Sequence, residues 1–234
     1  MSNTQKQAII SLLPKPDKNL AELRNWRPVS LLNTDYKVAS RCTAKRLESI
    51  LPSIIHTDQS AFIPGKKIVD NIRLISDIID LCEETGQPGA VMFIDFRKAY
   101  DTLEWVFLQK SLSLFKFGES FKQWVSVFYS NIESCVVNNG HSTGWFQLKR
   151  GIRQGCPLST ALFIIAIELL AISVRENENL EGINLPNNQK QTISGFADDT
   201  TLTLKNQKSV KFALVLLENF QSLSGLAINF EKTE

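Results

Sequence analysis

The sequence predicts a mixed α/β protein in which strands and helices pack in two layers. Two observations favour this class. Segments with the alternating or β-branched pattern of strands are separated by stretches with apolar residues at helical spacing, in the order strand, helices, hairpin, helix and strand. The chain also has 234 residues, of which 43% are hydrophobic and 21% charged, so it can bury a substantial core.

The first part of the chain is predicted to form a hairpin followed by helices. The expected elements are strands over residues 8–13 and 25–31 and helices over residues 34–51 and 70–82. Prolines in the loop 14–18 stop the first strand. A second loop, residues 59–67, ends with the adjacent cations Lys66 and Lys67. Both loops are therefore basic.

Cations of the first hairpin suggest a phosphate site. Lys15 and Lys18 lie in its loop, and Arg27 lies in the strand that returns. A guanidinium can bind a phosphate with two parallel hydrogen bonds, which makes Arg27 the most specific of the three. The alternative is a pair of surface lysines beside an arginine packed on Trp26. The residue pattern alone leaves both interpretations open.

The middle of the chain begins with an apolar strand and ends with a second hairpin. The expected elements are a strand over residues 90–95, helices over residues 103–115 and 120–129, and strands over residues 135–137 and 145–148. Asn138, Asn139 and Gly140 are good turn residues between the last two strands. The continuous apolar run before Asp95 is typical of a strand buried on both faces.

The last third contains a glycine-punctuated cationic loop and a helix that is apolar on all sides. The expected segments are a loop over residues 149–159, helices over residues 161–172 and 209–223, a hairpin over residues 192–204, and a last strand over residues 226–230. Gly151 and Gly155 allow the loop backbone to approach a ligand closely. The apolar run is too short to cross a bilayer and contains Glu168, so we expect a buried helix.

Composition and charge narrow the range of binding partners and cellular compartments. The net charge is +2, with 12 Lys and Arg against 8 Asp and Glu in residues 1–80 and 14 against 16 in the remainder. A basic first part suits a polyanion and an acidic remainder suits metal ions, with solvated charged faces as the alternative. Four cysteines without C-x-x-C spacing predict free thiols in an intracellular protein. Residues 1–7 are polar, so we expect neither a signal peptide nor membrane contact.

Asp198 and Asp199 form an acidic pair at the tip of the expected hairpin. Two neighbouring carboxylates repel each other, and a two-residue turn normally prefers Asn-Gly or Asp-Gly. A divalent cation would remove the repulsion and explain the choice of residues. The alternative is a solvated acidic turn, since short motifs also occur by chance.

A third acid, Asp95, ends the apolar strand of the middle segment. Charged residues rarely occupy such a position without a partner or a metal. If this strand pairs beside the acidic hairpin, about 4.8 Å from its neighbour, the carboxylates can bridge common ions. Two Mg²⁺ ions about 3.5–4 Å apart are a known arrangement for phosphoryl transfer.

These residues belong to a set of six ordered blocks that covers nearly the whole chain and resembles the reverse transcriptases of non-LTR, LINE-type retrotransposons. The blocks are Leu12 to Pro16, Asn25 to Asn33, Phe93 to Asp101, Gly151 to Ser159, Phe196 to Asp199, and Ser224 to Asn229 continued by Lys232 to Glu234. Six blocks in the expected order are far more specific than any one of them.

The resemblance implies a right-hand polymerase made of fingers and palm. The palm would be a two-layer α/β sandwich with an antiparallel sheet. Fingers are expected over residues 1–88 and palm over residues 89–234, with residues 115–148 as an insertion on the side of the fingers. A thumb is expected to be absent from this chain.

The resemblance also assigns a metal site. It implies that Asp95, Asp198 and Asp199 bind the metal ions, with the carbonyl of Phe96 as an extra oxygen ligand. The expected cofactor is Mg²⁺, two ions, with Mn²⁺ as a substitute. Tyr100 matches the steric gate, a ring under the nucleotide sugar that leaves no room for a 2′-hydroxyl. The alternative for Tyr100 is a core aromatic.

The remaining expected contacts are to nucleotide and nucleic acid. By resemblance, Arg27, with Lys15 or Lys18, neutralises the triphosphate, and Gln154 with Gly155 lines the nucleotide pocket. Nucleic-acid contacts are expected from Arg153 to the template and from Lys66 and Lys67, which stand where relatives often have an arginine. Lys232 occupies the position of a general acid to pyrophosphate, with an ordinary surface lysine as the alternative.

The implied function is an RNA-directed DNA polymerase core whose partners are an RNA template, a DNA primer and deoxynucleoside triphosphates. A second hypothesis is an inactive retrotransposon-derived fragment that keeps the fold and weak binding to nucleic acid. A third is another reverse-transcriptase lineage, such as an intron maturase, which the blocks over residues 25–33 and 224–234 disfavour. The sequence does not predict an oligomeric state.

Overall fold

The computed structural model describes residues 1–186 and 189–233. The helices are α1 (Asn3–Lys6), α2 (Thr34–Glu48), α3 (Leu51–Ile54), α4 (Ile68–Thr85), α5 (Ala99–Thr102), α6 (Trp105–Leu114), α7 (Glu119–Tyr129), α8 (Ser159–Arg175) and α9 (Gln207–Ser224). The strands are β1 (Gln7–Pro14), β2 (Trp26–Leu32), β3 (Ala90–Ile94), β4 (Glu133–Asn138), β5 (His141–Ser142), β6 (Phe146–Gln147), β7 (Ile183–Asn184), β8 (Lys190–Gln191), β9 (Ile193–Phe196) and β10 (Asp199–Leu204). The mixed α/β class is confirmed. Glu234, the last residue of the sixth block, lies outside the described residues.

The first sheet joins the N-terminal hairpin to strands from the middle of the chain. Its strand order is β2-β1-β4-β5, with β6 also paired to β4. β1 and β2 pair antiparallel, from Ala8 opposite Leu32 to Pro14 opposite Trp26, as the sequence predicted. β4 runs parallel to β1, so residues 133–147 extend the N-terminal sheet. The division into fingers and palm at residue 88 stays a prediction.

The turn between β4 and β5 follows the expected chemistry. Asn139 and Gly140 have φ angles of 48° and 77°. Two successive positive φ angles are the signature of a type I′ turn, whose twist matches that of the flanking strands. The hairpin turn predicted from Asn-Gly is therefore confirmed, but the strand that returns from it is β5. The strand expected over residues 145–148 is shortened to β6, which pairs with Glu133 and Ser134 at the start of β4.

The second sheet carries the acidic hairpin. It has three antiparallel strands in the order β3-β10-β9, and Thr200 of β10 pairs with Ile94 of β3. β3 lies at the edge of this sheet, and its Phe93 is 46% exposed. The expectation that this strand is buried on both faces is therefore wrong, because an apolar run does not reveal which neighbours cover it.

α8 lies at the centre of the core. Its side chains from Leu162 to Ala166 are fully buried, and α6 and α9 pack against it. Each of the buried Leu, Ile and Phe side chains contributes about 1.5–3 kcal/mol through burial. Glu168 is also buried, and its carboxylate binds the guanidinium of Arg175 at 2.5 Å. The buried helix predicted for residues 161–172 is confirmed.

The last predicted strand is wrong in extent. Residues 226–230 form a single bridge, between Ile228 and Phe96. The Lys232 and Thr233 N–H groups then donate to the carbonyl of Asn229, so the chain turns away after one pair. In the described ranges, no helix is long and apolar enough to cross a membrane. The four cysteines are free, as expected.

Candidate active site

The tip of the acidic hairpin is a two-residue loop, Ala197-Asp198. Asp199 is already the first residue of β10 and pairs with Phe196 of β9. The prediction that both acids form the tip is therefore corrected by one position. Ala197 has a φ angle of 58°, whereas Asp198 does not have positive φ. A left-handed conformation costs a residue with a Cβ atom about 1–2 kcal/mol, so this backbone needs support from its surroundings.

Gln59 supplies that support. Its side chain is buried, and its Oε1 accepts hydrogen bonds from the N–H groups of Ala61 and Ala197, both at 3.0 Å. The same segment pairs with β9, since the Gly195 N–H donates to the Asp58 carbonyl at 2.9 Å. A Cβ atom on Gly195 would lie 2.9 Å from the Gln59 amide nitrogen. The loop before α4 thus holds the acidic hairpin in place.

Sequence reasoning missed Gln59. The loop was interpreted through its cations Lys66 and Lys67, and a single glutamine in a polar loop carries no periodic or compositional signal. The glycine at position 195, inside a strand, was the available hint, because such a glycine often marks the close approach of another chain segment.

Asp95 directly follows β3, the strand that pairs with β10 of the acidic hairpin. Thr200 pairs with Ile94, so one step further along the antiparallel register Asp95 stands opposite Asp199. The Asp95 side chain is 33% exposed. The fold therefore places at the same end of one sheet the three acids that the sequence selected from distant positions.

Two residues of the sixth block contact Asp95. The amide nitrogen of Asn229 donates to Asp95 Oδ2 at 2.6 Å, and Lys232 Nζ lies 3.7 Å from the same oxygen. The Asn229 N–H also donates to the Asp95 carbonyl at 2.8 Å. The predicted site residue Lys232 thus lies beside the acids, with a side chain that is 66% exposed.

The Phe96 carbonyl is left out of these contacts. The hydrogen bonds between this segment and residues 227–229 use the Asp95 carbonyl and the Arg97 N–H instead. Phe96 and Ile228 therefore form the pair without direct hydrogen bonds in this short bridge. This geometry is compatible with the expected role of the Phe96 carbonyl as an oxygen ligand.

The surroundings of Asp198 disfavour the charged form of its carboxyl. Burial raises the pKa of Asp198 above its usual value, and the negative charges of Asp199 and Asp95 raise it further. Repulsion of this kind is what a bound divalent cation relieves, and carboxylate oxygens are the ligands that hard cations prefer. The donor set therefore fits a divalent metal. In the arrangement described for residues 1–186 and 189–233, no group of three or more acidic, His or Cys side chains is already gathered around one point.

Tyr100 forms a wall of the same region. Its ring stacks on Phe163 of α8, with centroids 4.9 Å apart and planes within 12°. Burial raises the pKa of its hydroxyl, which hydrogen-bonds Thr160, and the charge of Asp198 raises that pKa further. Tyr100 is therefore both packed against the core helix and close to the carboxylates, so the two interpretations from the sequence do not exclude each other.

The loop before α8 ties the first sheet to the acidic region. Gly155 has a φ angle of 105°, and a Cβ atom there would lie 2.7 Å from the Ser30 carbonyl oxygen. The Ser30 N–H in turn donates to the Gln154 carbonyl at 2.8 Å. The Gln154 side chain hydrogen-bonds Asp101, whose pKa burial raises. The predicted close backbone approach at Gly155 is real, and in this structure its partner is β2.

The burial of Arg153 contradicts the expectation that this residue contacts the template. The residue was expected to contact the template, but it is only 3% exposed. Its Nη2 donates to the carbonyls of Lys6 at 2.6 Å and Glu133 at 2.9 Å, and its guanidinium lies over the ring of Tyr36. Burial lowers the pKa of Arg153. The guanidinium therefore joins β4 to the start of β1 and is not available to a ligand.

The three cations of the first hairpin differ in whether their charged groups already have a hydrogen-bond partner. The ammonium of Lys15 donates to the Arg24 carbonyl at 3.0 Å, across its own loop. Lys18 and Arg27 are exposed. Lys18 and Arg27 are thus free to meet a phosphate, whereas Lys15 would have to give up a contact that stabilises the loop.

The two lysines of the second loop also differ in whether their charged groups already have a partner. Lys66 Nζ donates to the carbonyls of Thr57 at 2.6 Å and Gln59 at 3.2 Å, and burial lowers its pKa. Lys67 is exposed. The first of these lysines therefore helps to shape the segment that supports the hairpin, and only the second presents its charge to solvent.

An antiparallel sheet with an acidic hairpin beside a strand that ends in a third acid, packed on a buried helix, is the arrangement that the resemblance implies for a polymerase palm. The chain belongs to the reverse transcriptase (RNA-dependent DNA polymerase) family, which it matches over residues 13–234. Members of this family use divalent metal ions.

The relatives place the chain among non-LTR retrotransposon proteins. It is 35% identical over 229 residues to the transposon TX1 uncharacterized 149 kDa protein of Xenopus laevis, covering 97% of this chain and 17% of that protein. It is 27% identical over 224 residues to a Pol polyprotein of a type-1 R2 element of Popillia japonica, covering 95% and 31%. The chain thus spans less than a third of either relative.

Solved structures support the fold. The apo telomerase of Candida tropicalis aligns with a TM-score of 0.68 at 15% identity, over 100% of this chain and 44% of that one. The Candida albicans telomerase in complex with a fragment of telomeric RNA aligns with a TM-score of 0.64 at 14% identity, over 100% and 42%. Both confirm fingers and palm as the architecture.

Proposed function

We propose that this chain is the catalytic core of an RNA-directed DNA polymerase that extends a DNA primer along an RNA template. The observation that carries the proposal is the position of Asp95, Asp198 and Asp199 at the same end of the second sheet, where Asp95 lies opposite Asp199 on the neighbouring strand. The substrates would be deoxynucleoside triphosphates and the cofactor two Mg²⁺ ions, for which Mn²⁺ could substitute. The description of the family as RNA-dependent DNA polymerases and the telomerase structure with a fragment of telomeric RNA support an RNA template.

The carboxylates Asp95, Asp198 and Asp199 would hold the ions, with the Phe96 carbonyl as a further oxygen. Bound there, a divalent metal would lower the pKa of the primer hydroxyl and neutralise charge on the phosphates. The chain itself positions the reactants, which is the larger part of phosphoryl-transfer catalysis. Tyr100, fixed by its stacking on α8, would form the flat floor under the sugar.

Binding and proton transfer would involve the exposed cations. Arg27 and Lys18 are free to contact the triphosphate, and the Gln154–Gly155 backbone would line the nucleotide pocket. Lys232, whose Nζ lies 3.7 Å from Asp95 Oδ2, would give a proton to the leaving pyrophosphate. Lys67 would contact the nucleic acid.

A primer-extension assay tests the proposal. The chain is incubated with Mg²⁺, a primed RNA template and the four deoxynucleoside triphosphates, and Asp198→Asn is compared with the parent. Glu218→Gln serves as the control, since it removes the same charge from an exposed position of α9. We expect extension by the parent and the control and none by Asp198→Asn. Extension that persists in Asp198→Asn contradicts the proposal.

A second candidate function is nucleic-acid binding without catalysis. It is favoured by the contacts of Asp95, whose Oδ2 is already held by Asn229 and lies near Lys232. Those contacts compete with a metal for the same oxygen. This candidate predicts salt-dependent binding of RNA with no nucleotide incorporation, and extension by the isolated chain excludes it.

A further inference from the structure

The segment that supports the acidic hairpin lies outside the helices and strands. It comprises residues 56–59, between α3 and α4, and we call it the support segment. Its Gln59 accepts a hydrogen bond from the Ala197 N–H, and its Asp58 carbonyl accepts the Gly195 N–H at 2.9 Å. The position of the acidic turn therefore depends on what fixes the support segment.

Arg175, the last residue of α8, joins the support segment to the core helix. Its Nη1 lies 3.1 Å from Asp58 Oδ2, and its Nη2 lies 2.5 Å from Glu168 Oε1. Glu168 and Arg175 are seven residues apart, so they lie on the same face of α8. The same Glu168 oxygen accepts the His56 N–H at 3.4 Å. One guanidinium thus bridges a carboxylate of the helix and a carboxylate of the loop.

Such a bridge is a poor means of stabilising a fold. Glu168 is 2% exposed, and the side chains of Asp58 and Arg175 are 15% and 22% exposed, so these charges have lost most of their contact with water. That loss offsets much of their mutual attraction, and apolar residues of similar volume often stabilise a core as well. A guanidinium adds direction instead, because its planar fork fixes the geometry of the groups that it binds.

We propose that Arg175 is a positioning residue that holds the support segment on α8 and thereby fixes the turn that carries Asp198. It acts through Asp58 and Gln59, which contact β9 and the turn. Its effect on catalysis rests on the proposed function. Lys66 also binds the carbonyls of Thr57 and Gln59, so loss of Arg175 should shift the segment without detaching it.

Two variants separate positioning from stability. Arg175→Met leaves the buried Glu168 carboxylate unpaired and should lower the urea midpoint. The double variant Glu168→Met, Arg175→Met removes both charges and should unfold near the parent midpoint, although Asp58 still loses its link to α8. The control is Lys122→Met, which breaks an ion pair with Glu119 at 2.6 Å and has a side chain of similar exposure, 18%.

Hydrogen exchange without metal or substrate reads the turn directly. In the double variant, the N–H groups of Gly195 and Ala197 should exchange about 10-fold faster than in the parent, because local opening becomes easier. The amides of α8 serve as the internal reference and should keep their parent rates, as should all of these groups in the control. Parent-like exchange at the turn would overturn the inference. Equal acceleration at the turn and in α8, in either Arg175 variant, would also overturn it, because the role would then be merely structural.

Primer extension adds a kinetic readout. The double variant should lose about 10- to 100-fold in kcat, since a small displacement of a reacting group has effects of this size. The KM for deoxynucleoside triphosphates should stay within about twofold, because the cations proposed to bind the triphosphate lie on the other sheet. The Mg²⁺ concentration for half-maximal extension should rise. A change in KM alone would contradict the proposal.

The two readouts keep this inference separable from the proposed function. If exchange at the turn accelerates but the parent does not extend a primer, the polymerase activity fails and the role of Arg175 in holding the turn stands. If the parent extends and the double variant matches it in exchange and kcat, the role of Arg175 fails and the polymerase stands.

Discussion

Replacement of Gln59 by methionine should destabilise the protein more than any comparable change of a surface glutamine. Methionine has a similar length and shape but no hydrogen-bond acceptor of useful strength. The Gln59 Oε1 serves the N–H groups of Ala61 and Ala197, and both alanines are buried. Those donors would therefore lose their partner without gaining water.

The magnitude follows from these two donors. A buried N–H left without a partner costs about 1–3 kcal/mol, so the loss of both partners in Gln59→Met should lower the free energy of unfolding by about 2–6 kcal/mol. The positive φ at Ala197 adds to the effect, since the hydrogen bond from Gln59 holds that strained residue in place. Gln109→Met is the matched control. The Gln109 amide makes one long hydrogen bond, 3.4 Å to the Lys122 carbonyl, so its loss should cost less than about 1 kcal/mol.

Urea unfolding followed by circular dichroism gives both free energies. A loss below 1 kcal/mol for Gln59→Met, or equal losses for the two variants, would refute the reasoning. Primer extension adds a second readout at a temperature where both variants are folded. Gln59→Met should then lose more activity than Gln109→Met, because only Gln59 fixes the hairpin that carries Asp198.

Three further predictions concern single residues. The pKa of the Asp198 carboxyl is higher in the folded than in the unfolded chain, so the folded chain binds a proton there more tightly. The free energy of unfolding therefore falls as the pH rises from the unfolded-state pKa to the folded-state pKa. Asp198→Asn should therefore raise the urea midpoint at pH 7 without metal and leave it unchanged near pH 3; an equal midpoint at pH 7 contradicts this. Gly155→Ala combines a φ angle of 105° with a contact of 2.7 Å to the Ser30 carbonyl, so it should cost at least about 1–3 kcal/mol. Gly144→Ala, where the space is open, should cost little. Arg153→Met should lower the free energy of unfolding, because two carbonyls lose the hydrogen bonds from the guanidinium, and it should leave RNA affinity unchanged. Weaker RNA binding by the folded variant would support the original expectation that Arg153 contacts the template.

Local structure was largely accessible from the sequence. Asn139-Gly140 predicts a type I′ turn because both residues tolerate positive φ, and the turn is there. The apolar run of α8 predicts a buried helix because no face of it is polar. These features depend on residues close in the chain, whose pattern carries the information.

The errors share a different cause. The resemblance assigns Arg153 to the template by its position in the block, but the loop turns its side chain towards carbonyls of β4 and of the residue before β1. The strand expected at residues 226–230 has the right composition, yet only Ile228 finds a partner. Direction and partner of a side chain are set by segments distant in the chain.

The sequence by itself determined the elements, the three carboxylates and the family to which the blocks belong, because those follow from residue type and order. Tertiary structure alone decided that Asp95 stands opposite Asp199, that Ala197 and Asp198 form the turn, and that Gln59 holds it. The physical reason is that strand register and buried hydrogen bonds join residues far apart in the chain. No local pattern of the sequence encodes those pairings.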